Sequence, residues 1–156
     1  MAAIRPILYA TDFSPASTAA FRAAVDAARI HRAELIVAHA VARPFVTVED
    51  GPTTTRTYDA LLKSIEREAA NRLDRLVGRA RARGVRARPL VLQGVPFEAI
   101  VGAARRHRAQ LVVIGTHGRT GFQRLMLGSV AARVVALAPC PVLTVRAGDR
   151  AATRAA

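Results

Sequence analysis

The sequence predicts an α/β protein: a parallel β-sheet with α-helices packed on both of its faces. Short apolar runs alternate with segments of helical periodicity in the order β-α-β-α-β-α-β-α-β, and this alternation is typical of parallel sheets with right-handed crossovers. The runs Leu-Ile-Val-Ala and Leu-Val-Val-Ile contain no alternating polar residues, which indicates strands buried on both faces. With 156 residues, 51% of them hydrophobic, the chain has the size of one domain, expected over residues 1–146.

The first strand and helix are predicted from the signals at their ends. Residues 4–9 form an apolar run with Pro6 near its start, where a missing hydrogen-bond donor is tolerated. Ser14 suits a helix N-cap, and Pro15 suits the first helical position because the N–H there has no partner inside a helix. This helix is predicted to continue to about residue 31, and a second strand follows over 34–41.

The longest predicted helix covers about 58–83, because its apolar residues recur at spacings of three and four. The positions predicted to face inward are Leu61, Ile65, Ala69, Leu73, Leu76 and Ala80. Glu68 and Arg72 are expected to pair on the solvent side. The stretch 43–57, rich in Thr and containing Pro and Gly, is predicted to be a surface loop, and Gly84 suits the left-handed residue after a helix.

The rest of the chain completes the alternation. The remaining predicted elements are strands over 85–92, 110–115 and 141–146 and helices over 96–108 and 129–137. Residues 147–156 are expected to form a flexible tail.

The net charge is strongly positive. Lys and Arg together number 24 against 11 for Asp and Glu, which gives +13, and Lys63 is the only lysine. An anionic partner is one interpretation; the other is that an Ala/Arg-rich genome places arginine at solvated positions. Aromatic residues are only 4% and Trp is absent, so the stacking platforms of single-strand binders are missing. Nucleic acid binding as the main function is therefore disfavoured.

The sequence also bears on location. No window approaches the roughly 18 unbroken apolar residues of a membrane span. The apolar start is interrupted by Arg5 and Pro6, unlike a signal peptide. The single cysteine, Cys140, excludes an internal disulfide framework and a multi-cysteine metal site. We therefore expect a soluble cytoplasmic protein with no membrane partner.

A glycine-rich loop after the fourth strand is the candidate binding motif. Gly115 and Gly118 lie where the strand breaks into the loop, and glycine there permits positive φ and a close backbone approach to a ligand. Gly128 and Ser129 open the next helix, whose unpaired N–H groups and positive dipole end suit phosphate oxygens. Donors near the same anion are Thr116, His117 and Arg119. An ordinary Gly-rich turn with a serine cap explains the spacing equally well.

Other site motifs fit badly. The only lysine lies in a predicted helix, far from any Walker A loop, and no G-x-G-x-x-G follows the first strand. The four histidines form no H-E-x-x-H helix or close cluster, so no metal site is predicted. No G-x-S-x-G elbow indicates a hydrolase.

Three segments of the chain resemble the universal stress protein family. The loop matches that family's nucleotide motif Gly-x2-Gly-x9-Gly-Ser/Thr in full, from Gly115 to Ser129. The opening Ile-Leu-Tyr-Ala-Thr-Asp-Phe-Ser is similar to the family's first strand and turn, and Ala-Pro-Cys-Pro-Val-Leu-Thr-Val-Arg is similar to its end. The resemblance spans residues 4–146. It implies an open five-stranded parallel sheet of order 3-2-1-4-5.

The resemblance also implies a ligand and a partner. The complete motif is that of the ATP-binding branch, so ATP is the expected ligand, together with Mg²⁺. By similarity Asp12 would contact the ribose side and the backbone at Ala40 the adenine. The residues that would hold ribose and phosphates are Gly115, Gly118, Gly128, Ser129 and the N–H of Val130. The family dimerises through its last strand, where Val142 and Val145 could supply the edge.

Three functional hypotheses remain open. The first is an ATP-binding stress-response module that acts as a nucleotide-dependent homodimeric switch. The second is a slow ATPase or phosphotransferase, for which no convincing general base is visible, because His117 has no acid or nucleophile paired with it. The third is a basic nucleic-acid-associated protein. No catalytic residue is predicted, and the protein partner is not identified.

Overall fold

A computed structural model describes residues 5–43, 52–116 and 127–146. Four helices and five strands occupy these ranges. Their bounds are β1 Ile7–Ala10, α1 Pro15–His31, β2 Leu35–Val41, α2 Pro52–Arg81, β3 Ala87–Gln93, α3 Pro96–Arg106, β4 Leu111–Gly115, α4 Ser129–Leu137 and β5 Val142–Val145. The predicted tail, 147–156, lies outside the described residues.

The five strands form one parallel sheet of order β3-β2-β1-β4-β5, which confirms the predicted fold class and strand order. β1 is the central strand: Ile7 pairs with Leu35 on one side and with Leu111 on the other. All four of its residues are buried, as the unbroken apolar run predicts.

Two separate cores lie on the two faces of the sheet. Alternate residues of β1 point to opposite faces, so Ile7 and Tyr9 pack with α1 and α2, whereas Leu8 and Ala10 pack with α3 and α4. This arrangement leaves the carboxyl ends of the strands as one open edge, flanked by helices on both sides.

The turn from β1 into α1 is fixed by its own side chains. Ser14 is the N-cap, its Oγ accepting from the Ser17 N–H at 3.3 Å, and Pro15 is the first helical residue, as predicted. Oδ1 of Asp12 accepts from the Ser14 N–H at 2.9 Å. Phe13 has a φ of +63°, a left-handed conformation that costs a non-glycine residue about 1–2 kcal/mol. Its N–H donates to Thr11 Oγ1 at 3.0 Å, which helps to hold it there.

The helix α2 departs from the prediction at its start. It begins at Pro52, so the predicted loop over residues 52–57 is wrong. Proline is well tolerated in the first helical turn, and threonine lowers helix propensity by only a few tenths of a kcal/mol per residue. A long helix that packs along β2 and β3 therefore continues through these residues. At the other end, Gly84 has a φ of +78°, as predicted.

The apolar face of α2 is also shorter than predicted. Ala69, Leu73 and Ala80 are buried, but Leu61 is 44% exposed because its turn extends beyond the core. The predicted pairing of Glu68 with Arg72 is not found: Arg72 lies over the ring of Phe13, and Glu68 is paired with Arg75. In the described ranges, no helix has both the length and the apolar character needed to cross a membrane.

Leu73 and Leu61 give a matched test of this core. Leu73→Ala should lower the free energy of unfolding by about 2–5 kcal/mol, because it opens a cavity in a closed core. Leu61→Ala should change it by no more than about 0.5 kcal/mol, because that side chain is largely in solvent. Urea denaturation followed by circular dichroism measures both. Equal losses for the two variants would show that the core extends along the whole helix.

Candidate functional site

A cavity of about 300 Å³ lies at the carboxyl ends of β1, β2 and β4. Its size is at the lower end of the range for small-molecule sites. The lining residues are Ala10, Thr11, Asp12, Ser17, Ala38, His39, Ala40, Pro96, Ile100, Ile114, Gly115, Thr116, Gly128, Ser129, Val130 and Ala131. Most of these side chains are small or apolar, and the polar groups are concentrated at the ends of β1 and β4.

The strand order explains why the cavity forms here. The chain leaves β1 for its neighbour β2 on one side, and the later strands β4 and β5 lie on the other side. The helices that follow β1 and β4 therefore diverge to opposite faces, and a crevice opens between them. Open parallel sheets bind their ligands at such a switch point.

The amino end of α4 forms one wall. The Gly128 N–H donates to the Thr116 carbonyl at 2.7 Å, and the Thr116 N–H donates to the Val145 carbonyl at 2.9 Å. These bonds connect Thr116, just after β4, to Gly128, just before α4, and to β5. They hold the start of α4 at the carboxyl end of the sheet. The first turn contains no acidic residue, so the positive end of the helix faces the cavity uncompensated.

Ser129 is not the helix cap that the alternative explanation of the motif requires. Gly128 is the N-cap of α4, and it has no side chain to bond the first-turn N–H groups. Ser129 is the first helical residue, and its side chain is exposed. A turn closed by a serine cap, the alternative explanation of the motif, is therefore not what the structure contains. The amino end of α4 has the form of an anion-binding helix terminus.

Gly115 also differs from its prediction in one respect. It is the last residue of β4 and pairs with Val145 of β5, so it has strand geometry rather than a positive φ. What glycine provides at this position is the absence of a side chain. Glycine at this position of the cavity lining therefore leaves the backbone open to a close approach.

Asp12 and His39 mark the other end of the cavity. One oxygen of the Asp12 carboxylate is held by the Ser14 N–H, which orients the carboxylate at the cavity wall. Nδ1 of His39 lies 2.7 Å from the Thr11 carbonyl, and this contact assigns the proton to Nδ1, since a carbonyl only accepts. The His39 ring also lies against Phe13, with the ring centroids 4.4 Å apart.

The structure brings together the predicted residues that it describes. Seven of them line the cavity: Asp12, Ala40, Gly115, Thr116, Gly128, Ser129 and Val130. The other three, His117, Gly118 and Arg119, lie outside the described residues.

Several lining residues were not predicted. His39 precedes Ala40 at the end of β2, and its position at a strand end beside β1 is a signal that could have identified it. Pro96 and Ile100 belong to the first turns of α3. They reach the cavity because α3 packs beside α4 on the same face of the sheet. Sequence periodicity contains no information about that packing.

The cavity has few groups for proton transfer. Among the described lining residues, Asp12 is the one carboxylate, and it already accepts a backbone hydrogen bond. Cys140 lies elsewhere, packed beside the core of α3 and α4, and burial raises the pKa of its thiol. A raised pKa keeps the thiol protonated and poorly nucleophilic near neutral pH.

Comparisons with known proteins agree with this architecture. Residues 3–146 match the Universal stress protein family. The chain is 34% identical to a universal stress protein of Methanocaldococcus jannaschii over 143 residues, which cover 91% of this chain and 82% of that protein. It is 38% identical to a universal stress protein of Thermus aquaticus, with 91% and 98% covered.

Solved structures show the same fold. The universal stress protein UspA from Lactobacillus plantarum superposes with a TM-score of 0.80 at 26% identity, covering 94% of this chain and all of that one. A universal stress protein in complex with cAMP superposes with a TM-score of 0.63 at 27% identity, with 94% and 100% covered. With sequence, family match and fold in agreement, the chain belongs to the universal stress protein family.

Proposed function

We propose that the protein is an ATP-binding stress-response module that acts as a homodimeric switch. The observation that carries this proposal is the amino end of α4, whose N-cap Gly128 makes no side-chain bond, beside a cavity of about 300 Å³ at the switch point of the sheet. A relative of the same fold has been solved with cAMP, so an adenine nucleotide fits the chemistry of this fold.

The cavity lining offers groups suited to the base, the ribose and the phosphates of a nucleotide. Ala38, Ala40 and Ile100 give the narrow apolar surface that an adenine ring requires. The Asp12 carboxylate accepts hydrogen bonds from hydroxyl groups, which suits a ribose. The N–H groups of Ser129 and Val130 and the hydroxyl of Ser129 are donors for phosphate oxygens at the positive helix end. Mg²⁺ would bind through the phosphate oxygens, with few protein ligands.

The edge of the sheet supports the dimer. β5 is the last strand in the order, so among the described residues one side of it has no neighbouring strand. Val142 and Val145 pack partly against the two cores, and Leu143 is 41% exposed. Three further exposed apolar side chains, Leu127, Val135 and Leu137, lie in or beside α4. Proteins seldom leave an apolar strand edge uncovered, and a second copy would cover this one.

Ser129 allows a test of the helix terminus. Ser129→Pro removes both its N–H and its hydroxyl, and proline is favoured at the first helical position; Gly128, with a ψ of 150°, has the extended geometry that proline requires of its predecessor. Isothermal calorimetry should show ATP affinity lowered about tenfold or more, since hydrogen bonds to charged groups contribute about 1.5–3 kcal/mol.

Ser129→Ala is the control that removes the hydroxyl alone. It should weaken ATP binding less than Ser129→Pro does, and both variants should keep the thermal midpoint of the wild type. ATP affinity equal to that of the wild type in Ser129→Pro would place the phosphates elsewhere.

The dimer is tested at Leu143. Leu143→Lys places a charge at the sheet edge without entering either core, so light scattering at micromolar concentration should show a shift from dimer mass towards monomer mass. Leu61→Lys is the matched control, because Leu61 is exposed to a similar degree, 44%, on α2. A wild-type protein that is already a monomer, or equal effects of the two variants, would contradict this interface.

The proposal also predicts slow hydrolysis. Efficient phosphoryl transfer requires a group that orients the attacking nucleophile in line with the leaving group, and the Asp12 carboxylate is placed for the ribose end. Phosphate release with Mg²⁺ should therefore be far below the roughly 1–100 s⁻¹ of kinases. Several turnovers per second, lost in His117→Ala at unchanged ATP affinity, would show that the protein is an enzyme.

A further inference from the structure

A second cavity lies on the opposite face of the sheet, between the start of α1 and the middle of α2. Its volume is about 400 Å³. We call it the arginine cleft, after Arg72, Arg75 and Arg79, which line it. The other lining residues are Tyr9, Thr11, Phe13, Ser14, Ser17, Thr18, Phe21, Glu68 and Leu76.

Two of the three arginines, Arg72 and Arg79, contact aromatic rings on the opposite wall of the cleft. The guanidinium carbon of Arg72 lies 4.2 Å from the ring centroid of Phe13, and that of Arg79 lies 5.2 Å from the centroid of Phe21. Both rings belong to the far wall, made by the β1–α1 turn and α1. Cation–π contacts of this kind leave the N–H groups at the guanidinium edge available to an acceptor, because they use the face of the group.

The charges of the cleft do not balance. Its one carboxylate, Glu68, has an oxygen 4.0 Å from Nη2 of Arg75, which leaves two arginines without an acidic partner among the lining residues. The amino end of α1 adds the positive end of its dipole. Its first turn contains no acidic residue, and the Asp12 carboxylate, which accepts from the Ser14 N–H at the N-cap, offsets that charge only in part. Like charges concentrated in a concave site repel each other, and a bound anion relieves that repulsion.

Position, and not exposure, separates these arginines from Arg67 on the same helix. Arg67 does not line the cleft, whereas Arg72, half-buried over Phe13, and the exposed Arg75 and Arg79 do. Arg72, Arg75 and Arg79 recur at spacings of three and four, so they share one face of α2, and this face turns towards α1.

We infer that the arginine cleft binds a small polyanion of the phosphate class, such as pyrophosphate or a phosphorylated metabolite. Planar guanidinium groups suit the oxygens of phosphate and can bind them in pairs. The site is distinct from the cavity lined by Asp12 and Ser129, because it lies among the helices of the other face of the sheet. Thr11 and Ser17, whose hydroxyl oxygens lie 3.0 Å apart, line both cavities. The inference does not depend on the proposed function.

Calorimetric titration of the full chain with inorganic pyrophosphate tests this inference. The double variant Arg75→Gln/Arg79→Gln should lose pyrophosphate affinity by about tenfold or more, since it removes two charged donors. Arg67→Gln is the matched control and should bind as the wild type does. Glu68→Gln removes the negative charge and should bind about two- to fivefold more tightly. Thermal midpoints confirm that each variant is folded.

Ser129→Pro separates this site from the nucleotide cavity. Pyrophosphate binding at the arginine cleft should be unchanged in Ser129→Pro, whatever that variant does to ATP binding. Loss of pyrophosphate binding in Ser129→Pro, with none in the double variant, would place the anion at α4 and overturn the inference. Equal affinities in the double variant and in Arg67→Gln would overturn it as well.

Discussion

The hydrogen bond from the Gly128 N–H to the Thr116 carbonyl, at 2.7 Å, is the contact on which the arrangement of the site depends. It joins residues that are twelve positions apart in the chain and returns the backbone to the edge of the sheet before α4 begins. The Thr116 N–H continues the connection to Val145 of β5. Together with the packing of Ala131 and Val134 in the core, this closure positions the amino end of α4 at the cavity that Asp12 and Ala40 also line.

The turn between β1 and α1 contributes residues to cavities on both faces of the sheet. Asp12 lines the cavity at the carboxyl ends of the strands, whereas Phe13 lies between the ring of His39 and the guanidinium of Arg72. The left-handed conformation of Phe13 is stabilised by these contacts and by the bond from its N–H to Thr11. Strained residues of this kind are found at ligand sites, where the surrounding structure holds them in place. Residues 11–14 therefore connect two cavities that belong to different cores.

The chemistry of the main cavity favours binding over catalysis. Helix dipoles and backbone N–H groups stabilise an anion without transferring a proton. The carboxylate of Asp12 accepts a hydrogen bond from the turn through one of its oxygens. A ligand-dependent conformational switch requires only that the ligand bind one state of the protein better than another. The edge of β5, where we propose the dimer contact, is bonded to Thr116 at the end of β4 through the Val145 carbonyl, and this bond would connect the cavity to that edge.

The sequence alone determined the fold class, because an unbroken apolar strand and an amphipathic helix each require burial on particular faces. It also located Ser14, Gly84 and the strand ends, where local backbone chemistry decides the structure. It placed the start of α2 too late and Leu61 too deep, because helix length and burial depend on what lies beside the helix. Only the tertiary structure decided that Gly128 caps α4 in place of Ser129, that His39 and Ile100 line the cavity, and that three arginines of α2 face α1. The last two are contacts between residues far apart in the chain, and such contacts follow from packing rather than from local sequence.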